Sequence, residues 1–178
     1  SKTVRARINK FYRKEAEVIY PPVDTDQFTI SNEPKKYFLA GGRVVAYKRF
    51  DIVVEAANRL CMPLRIFGDG PFLDELKLRA KNNVEFLGRV SDKEKASLYS
   101  NCIAYINPQE EDFGITAVEA MASGRPVIAY AKGGATESVI PGVSGLHVHE
   151  QTWEAIADAM VRFGDHAFDP LVIKQHAE

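Results

Sequence analysis

Beyond Pro21-Pro22 the chain alternates short apolar runs with longer stretches whose apolar positions recur at helical spacing. Phe38 to Ala40 is followed by Ile52 to Leu60, Leu64 to Phe67 by Phe72 to Ala80, and Val84 to Leu87 by Lys93 to Tyr99. Ile103 to Ile106 then precedes Ile115 to Ala122, Val127 to Ala129 precedes Thr136 to Val139, and Leu146 to Val148 precedes Trp153 to Phe163. The short runs show little polar alternation, as expected of strands covered on both faces, and the stretches of about ten residues between them read as helices. This rhythm predicts an α/β fold, a doubly wound parallel sheet.

In such sheets ligands sit beyond the carboxyl ends of the strands. The loops there are Gly41-Gly42-Arg43, Gly68-Asp69-Gly70-Pro71, Gly88-Arg89-Val90, Gln109 to Gly114 and Lys132-Gly133-Gly134. Glycine lets a backbone approach a ligand closely, but it is also the ordinary residue of tight turns, so the convergence on one edge carries the inference and no single glycine does. Ser91-Asp92-Lys93-Glu94 has capping-box spacing and needs no role beyond starting its helix.

Composition adds bounds. The 178 residues, 46% hydrophobic and 26% charged, with 12 Gly and 9 Pro, describe one soluble globular domain and exclude a disordered, collagenous or fibrous chain. The formal net charge is −1, but it is segregated: Lys2, Arg5, Arg7, Lys10, Arg13 and Lys14 fall in the first 14 residues with no acid, leaving 17 bases against 24 acids in the rest. Val4, Ile8, Phe11 and Tyr12 recur there at helical spacing, which predicts a basic amphipathic helix that docks against another domain, with an anionic membrane surface as the alternative. The acidic remainder argues against nucleic acid as a partner. Cys61 and Cys102 have apolar neighbours and no CxxC spacing, and are expected to be buried thiols of a reducing compartment. His147 and His149 would share a strand face but lack further ligands, so a structural role is expected of them. No signal-peptide pattern and no apolar run near the roughly 20 residues of a membrane span occurs in the sequence, so a cytoplasmic location, up to the inner face of the membrane, is expected.

The chemistry narrows by elimination. GxGxxG fails because Gly68 and Gly70 are followed by Leu73, and no P-loop pattern exists. Asp24-Thr25-Asp26 resembles a metal-binding DxD but follows Pro21-Pro22-Val23 in a linker, and no metal is expected there. Arg43 and Lys48 could place two positive charges on a diphosphate, or could simply be solvated loop residues. Glu111 and Glu119 are eight positions apart, Glu111 before Phe113-Gly114 and Glu119 on the helix that follows. Two helical turns are about seven residues, so both can lie on one side, Glu119 deeper and Glu111 at the helix mouth, where carboxylates can grip vicinal hydroxyls. The amides of Gly114, Ile115 and Thr116 would open that helix as a phosphate site. An acid-rich first turn would explain Glu111 without a ligand, but not an acid inside so apolar a helix at Glu119.

At these residues the chain resembles the C-terminal half of a retaining glycosyltransferase of family 4, with the GT-B architecture of two Rossmann-like domains. The segments that carry the resemblance are Val18 to Asp24, Gly42-Arg43 with Lys48-Arg49, Phe67 to Pro71, Phe86 to Val90, Glu111 to Gly114, and Glu119 to Ala129. The resemblance implies that Arg43 and Lys48 hold the donor diphosphate, Glu119 the ribose and Glu111 the transferred sugar. It further implies that Gly42, Gly68, Phe113 and the backbone of Gly114, Ile115 and Thr116 line the donor, with Val90 meeting the base. The anomeric configuration would be retained by attack on the face the diphosphate leaves, without a metal or other cofactor.

On this reading residues 1–14 are the last helix of an N-terminal domain that binds a sugar or lipid-linked acceptor. Residues 15–178 are then a nucleotide-sugar domain truncated at its C-terminal end, inactive alone and peripheral to a membrane at most in the longer protein. The Glu110 to Ile115 and Val127 to Ala135 segments are similar to mannosyltransferases of surface polysaccharide synthesis that use GDP-mannose; UDP-sugars such as UDP-glucose stay open. Two readings from other classes also stand, a non-catalytic nucleotide-binding module and a nicotinamide-dependent oxidoreductase domain.

Overall fold

A computed structural model describes residues 1–32 and 36–178. Six strands form one all-parallel sheet in the order β3-β2-β1-β4-β5-β6. They are β1 Phe38–Gly41, β2 Leu64–Phe67, β3 Val84–Gly88, β4 Tyr105–Asn107, β5 Val127–Tyr130 and β6 Gly145–Val148. The helices are α1 Lys2–Tyr12, α2 Phe50–Leu60, α3 Leu73–Arg79, α4 Asp92–Ser100, α5 Ile115–Ala122, α6 Ala135–Ser138, α7 Trp153–Arg162 and α8 Pro170–Ala177. The doubly wound sheet read from the sequence is the fold observed, and the order reverses between β1 and β4.

Successive side chains of a strand point to opposite faces, and the central strands use both. Phe38, Ala40, Ile106, Ile128 and Tyr130 pack toward α2 and α7, whereas Leu39, Tyr105, Val127 and Ala129 pack toward α4, α5 and α8. Tyr99 is the hub of the second layer, with ring centroids 5.9 Å from Phe28, 5.8 Å from Phe67 and 5.5 Å from Tyr105. Near it the buried Arg125 guanidinium donates to the carbonyls of Ser100 and Ser31, tying the end of α4 to the segment before β1.

Three expectations change. The strand expected at Ile103 begins at Tyr105, because the Ile103 amide is engaged by the Tyr37 carbonyl before the ladder starts. The C-terminal α8 was not foreseen, since only Ile173 of its residues is fully buried; Asp169 caps it, and Lys174 Nζ fastens it to the Phe28 carbonyl at 2.7 Å. Cys61 is exposed and not buried: it closes α2 in the left-handed conformation at φ 52°, a position that turns its side chain out of the core. The basic amphipathic helix forms as α1, with Phe11 and Tyr12 69% and 74% exposed and no residue fully buried.

Burial raises the Cys102 thiol to about 12. Because the thiolate is the reactive form, one thiol per chain, Cys61, should react with an aromatic disulfide reagent in the native state, and both should react in denaturant. Two fast-reacting native thiols would contradict the packing around Cys102.

Candidate functional site

Where the strand order reverses, crossovers leave on opposite faces and open a crevice at the carboxyl edge. One wall follows β1. Gly42 takes φ 128°, and a 3₁₀ turn at Ala46–Lys48 brings the Lys48 ammonium beside it, 3.3 Å from where a side-chain carbon on Gly42 would stand. Gly68, at φ 112°, presses against the Gly42 carbonyl so closely that no side chain fits. The other wall follows β4, and across the crevice Lys48 Nζ lies 2.7 Å from Glu111 Oε1. The walls are also joined from behind: Gln151 donates to the Pro108 carbonyl at 2.9 Å and accepts from Arg49, the residue after Lys48, at 3.4 Å.

Glu111 lies before the helix and Glu119 on it, the placement read from the sequence. α5 starts at Ile115, and Glu111 forms an isolated parallel bridge with Gly133, with the Gly134 amide donating to its carbonyl at 2.7 Å. Glu119 is on α5, 7% exposed, and faces α4. There Lys95 Nζ is 2.8 Å from its Oε1, and the Tyr99 hydroxyl donates to its Oε2 at 3.0 Å. The two acids expected together thus have separate cationic partners. Burial alone would lower the Lys95 pKa, but the hydrogen bond and charge of Glu119, joined by Asp92 at 3.4 Å, raise it. Burial, reinforced by Tyr105 and Glu119, holds the Tyr99 hydroxyl well above its usual range, so it acts as a neutral donor.

Lys95 and Tyr99 were missed because they follow a capping box that explains its own helix start. Ser91 and Glu94 do form that box, as expected. The remaining sequence-named residues divide between two adjoining depressions. Lys48, Glu111, Phe113, Gly114, Ile115 and Thr116 line one of ≈ 520 Å³. Gly42, Arg43, Gly68 and Val90 line the other, of ≈ 320 Å³, which Asp92 and the missed Lys95 also line. Arg43 is exposed there, and no carboxylate among the described residues pairs with it. Gly114, at φ 89°, turns the chain into α5, so the amides of Ile115 and Thr116 open a helix whose dipole favours an anion.

Asn107 Oδ1, both polar atoms of Gln109 and Thr116 Oγ1 are buried beneath this loop with no hydrogen-bond partner among the described residues. Buried polar groups without partners concentrate where ligands bind, and neither Asn107 nor Gln109 was singled out from the sequence. Asp24 and Asp26 are exposed at a turn and line neither depression. His147 lies on β6, its pKa lowered by burial, and His149 lies beyond the strand end.

Glycosyl transferases group 1 is the family whose description matches residues 24–166. The chain belongs to this family. It is 35% identical over 152 residues to an uncharacterized glycosyltransferase of Methanocaldococcus jannaschii, covering 82% of this chain and 43% of that protein. It is 32% identical over 132 residues to an O-antigen chain mannosyltransferase of Escherichia coli, covering 70% of this chain and 36% of that protein. The sucrose-phosphate synthase of Thermosynechococcus elongatus superposes with a TM-score of 0.82 at 25% identity, over 100% of this chain and 50% of that one. The chain thus spans less than half the length of these two relatives, and its sheet has the α/β fold of its structural neighbours, which are GT-B glycosyltransferases. Among the described residues no helix is long and apolar enough to cross a membrane.

The Lys95 pair generates a stability prediction. A pKa raised on folding contributes stability that is complete below the ordinary lysine value and is lost as pH rises through the raised one. Lys95→Met, which leaves the Glu119 carboxylate with Tyr99 alone, should cost about 1–3 kcal/mol at pH 7. Urea unfolding of both proteins should show that gap closing as the pH is taken above the lysine range.

Proposed function

We propose that the chain binds the nucleotide-sugar donor of a retaining, metal-independent hexosyltransferase, and that the donor is GDP-mannose. The observation that carries the reading is the Lys48–Glu111 pair at 2.7 Å across the crevice where the strand order reverses. A lysine and a carboxylate held face to face there suit a diphosphate and the hydroxyls of the sugar attached to it. In this reading Arg43 and Lys48 bind the diphosphate and stabilise its charge as it departs, while Glu111 orients the sugar ring. Glu119, reached through Lys95, takes the ribose, and the Gly114, Ile115 and Thr116 backbone meets the phosphates and sugar. Gly42, Gly68, Phe113 and Val90 complete the lining. No enzyme carboxylate acts as nucleophile; the acceptor attacks from the face that the diphosphate leaves.

Similarity to an O-antigen chain mannosyltransferase supports mannose, and the segments around Glu111 and Val127 agree with it. The acceptor, a sugar or a lipid-linked sugar, would be bound by chain beyond these residues, and peripheral membrane attachment would likewise belong to the longer protein.

Calorimetric titration with GDP-mannose, UDP-glucose, GDP, UDP and NADH tests the reading. GDP-mannose should bind more tightly than GDP, with a Kd as weak as about 1 mM, equivalent to −4 kcal/mol. Lys48→Ala and Glu119→Ala should each weaken it about tenfold, a loss near 1.4 kcal/mol, without unfolding the domain. Tighter binding of UDP-glucose would reject the guanine assignment; an affinity that ignores the sugar would favour a nucleotide-binding module; a preference for NADH would overturn the reading.

A further inference from the structure

Glu110, Glu111 and Asp112 are three consecutive acids, and only the middle one faces Lys48. Glu111 forms an isolated parallel bridge with Gly133, and the chain bends directly after it at Asp112 and Phe113. Glu110 and Asp112 line the same depression, and there Arg7 of α1 holds both, at 2.6 Å from Glu110 Oε1 and 2.7 Å from Asp112 Oδ1.

The helix that carries Arg7 is itself fastened beside this ribbon. Glu137 accepts from the amides of Lys2 and Thr3 at 2.8 and 3.0 Å and from the Thr3 hydroxyl at 3.2 Å, so it caps the start of α1 from another element. The same carboxylate accepts from the Tyr20 hydroxyl at 2.9 Å, and the Tyr20 ring packs on Phe113 with centroids 5.6 Å apart. Arg7, Glu137 and Tyr20 thus grip the ribbon at Glu110, Asp112 and Phe113, leaving Glu111 free toward Lys48.

We propose that Arg7 and Glu137 are positioning residues: they strap α1 and Tyr20 across residues 110–113, occupying Glu110 and Asp112 so that, of the three acids lining the depression, Glu111 is the one left to face Lys48. Arg7 at the same time offsets the two outer carboxylates, which would otherwise repel an anionic ligand. The functional part of this inference rests on the donor-binding reading above.

The test has one arm that needs no ligand. Amide hydrogen exchange at residues 110–113 should quicken in Arg7→Ala and in Glu137→Gln while β1, β4 and β5 keep their protection. In the second arm, sugar-nucleotide affinity should fall about fivefold in Arg7→Ala and recover when Glu110→Gln and Asp112→Asn are added, because the competing carboxylates are then gone. Unchanged exchange, unchanged affinity, or no recovery in the triple variant would each overturn the strap. Quickened exchange in a protein whose wild type binds none of the nucleotides would instead uphold the strap's hold on the ribbon and reject the donor reading.

Discussion

The reversal of strand order between β1 and β4 is the constraint on which the rest of the structure depends. The two strands share a short parallel ladder through Leu39 and Tyr105, reinforced where the Tyr105 hydroxyl donates to the Gly41 carbonyl at 2.9 Å. Because both are covered on both faces, neither following loop can leave through the sheet, and each turns away toward its own helix layer. The divergence creates a crevice whose width is set by backbone, and Lys48 and Glu111 reach across it from its two rims. Gly68 matters for the same reason: its contact with the Gly42 carbonyl fixes where the β1 loop can lie.

The charges in the crevice answer one another before any ligand arrives. Lys48 is paired with Glu111, and Lys95 with Glu119, all four side chains mostly removed from solvent. Partly buried carboxylates and ammonium groups are costly to leave alone, so in the free protein these internal pairs hold the side chains in single orientations. Under the proposed function a diphosphate would share Lys48 with Glu111, and ribose hydroxyls would join Lys95 and Tyr99 at Glu119. Such a site is preorganised, which spares part of the ordering cost of binding, but it also loses some internal pairing energy when the ligand enters. Modest affinity for the donor is the physical consequence.

The fold was legible because its signal is periodic. Strands covered on both faces read as short unbroken apolar runs, and those bounds held within a few residues from Phe38 to Val148. The carboxyl-edge loops followed from the fold, so Lys48, Glu111 and Glu119 could be named. Their partners could not, because pairing depends on backbone direction over short spans. Glu111 before α5 and Glu119 on it were legible, but Gly114 at φ 89° turns the chain between them, and the two acids meet different cations. Lys95 was hidden behind a complete local explanation for its segment, and α8 behind a single buried Ile173. Cys61 misled because apolar neighbours in sequence do not determine exposure at a left-handed helix end.

Binding of a diphosphate and choice of a base or sugar would be assigned to different kinds of structure. The first would draw on backbone turns, a helix start and lysine held near glycine, all fixed by the sheet, and so shared by any chain that folds this way. The second would fall to the rim, where Arg89 and Asp69 form a pair at 3.1 Å with Arg89 84% exposed. An exposed pair of this kind is worth about 0–1 kcal/mol and is readily exchanged for another arrangement. Relatives named for transfer of mannose and for synthesis of sucrose phosphate can therefore share this sheet while differing at its edge. The strap of α1 over Glu110 and Asp112 lies between these extremes: it uses exposed charges, but it acts on a loop that the Gly133 bridge and the Lys48 pair already hold in place. Under the proposed strap a surface ion pair acts by occupying two of three neighbouring acids, so a small energy is enough to decide which one is left to face Lys48.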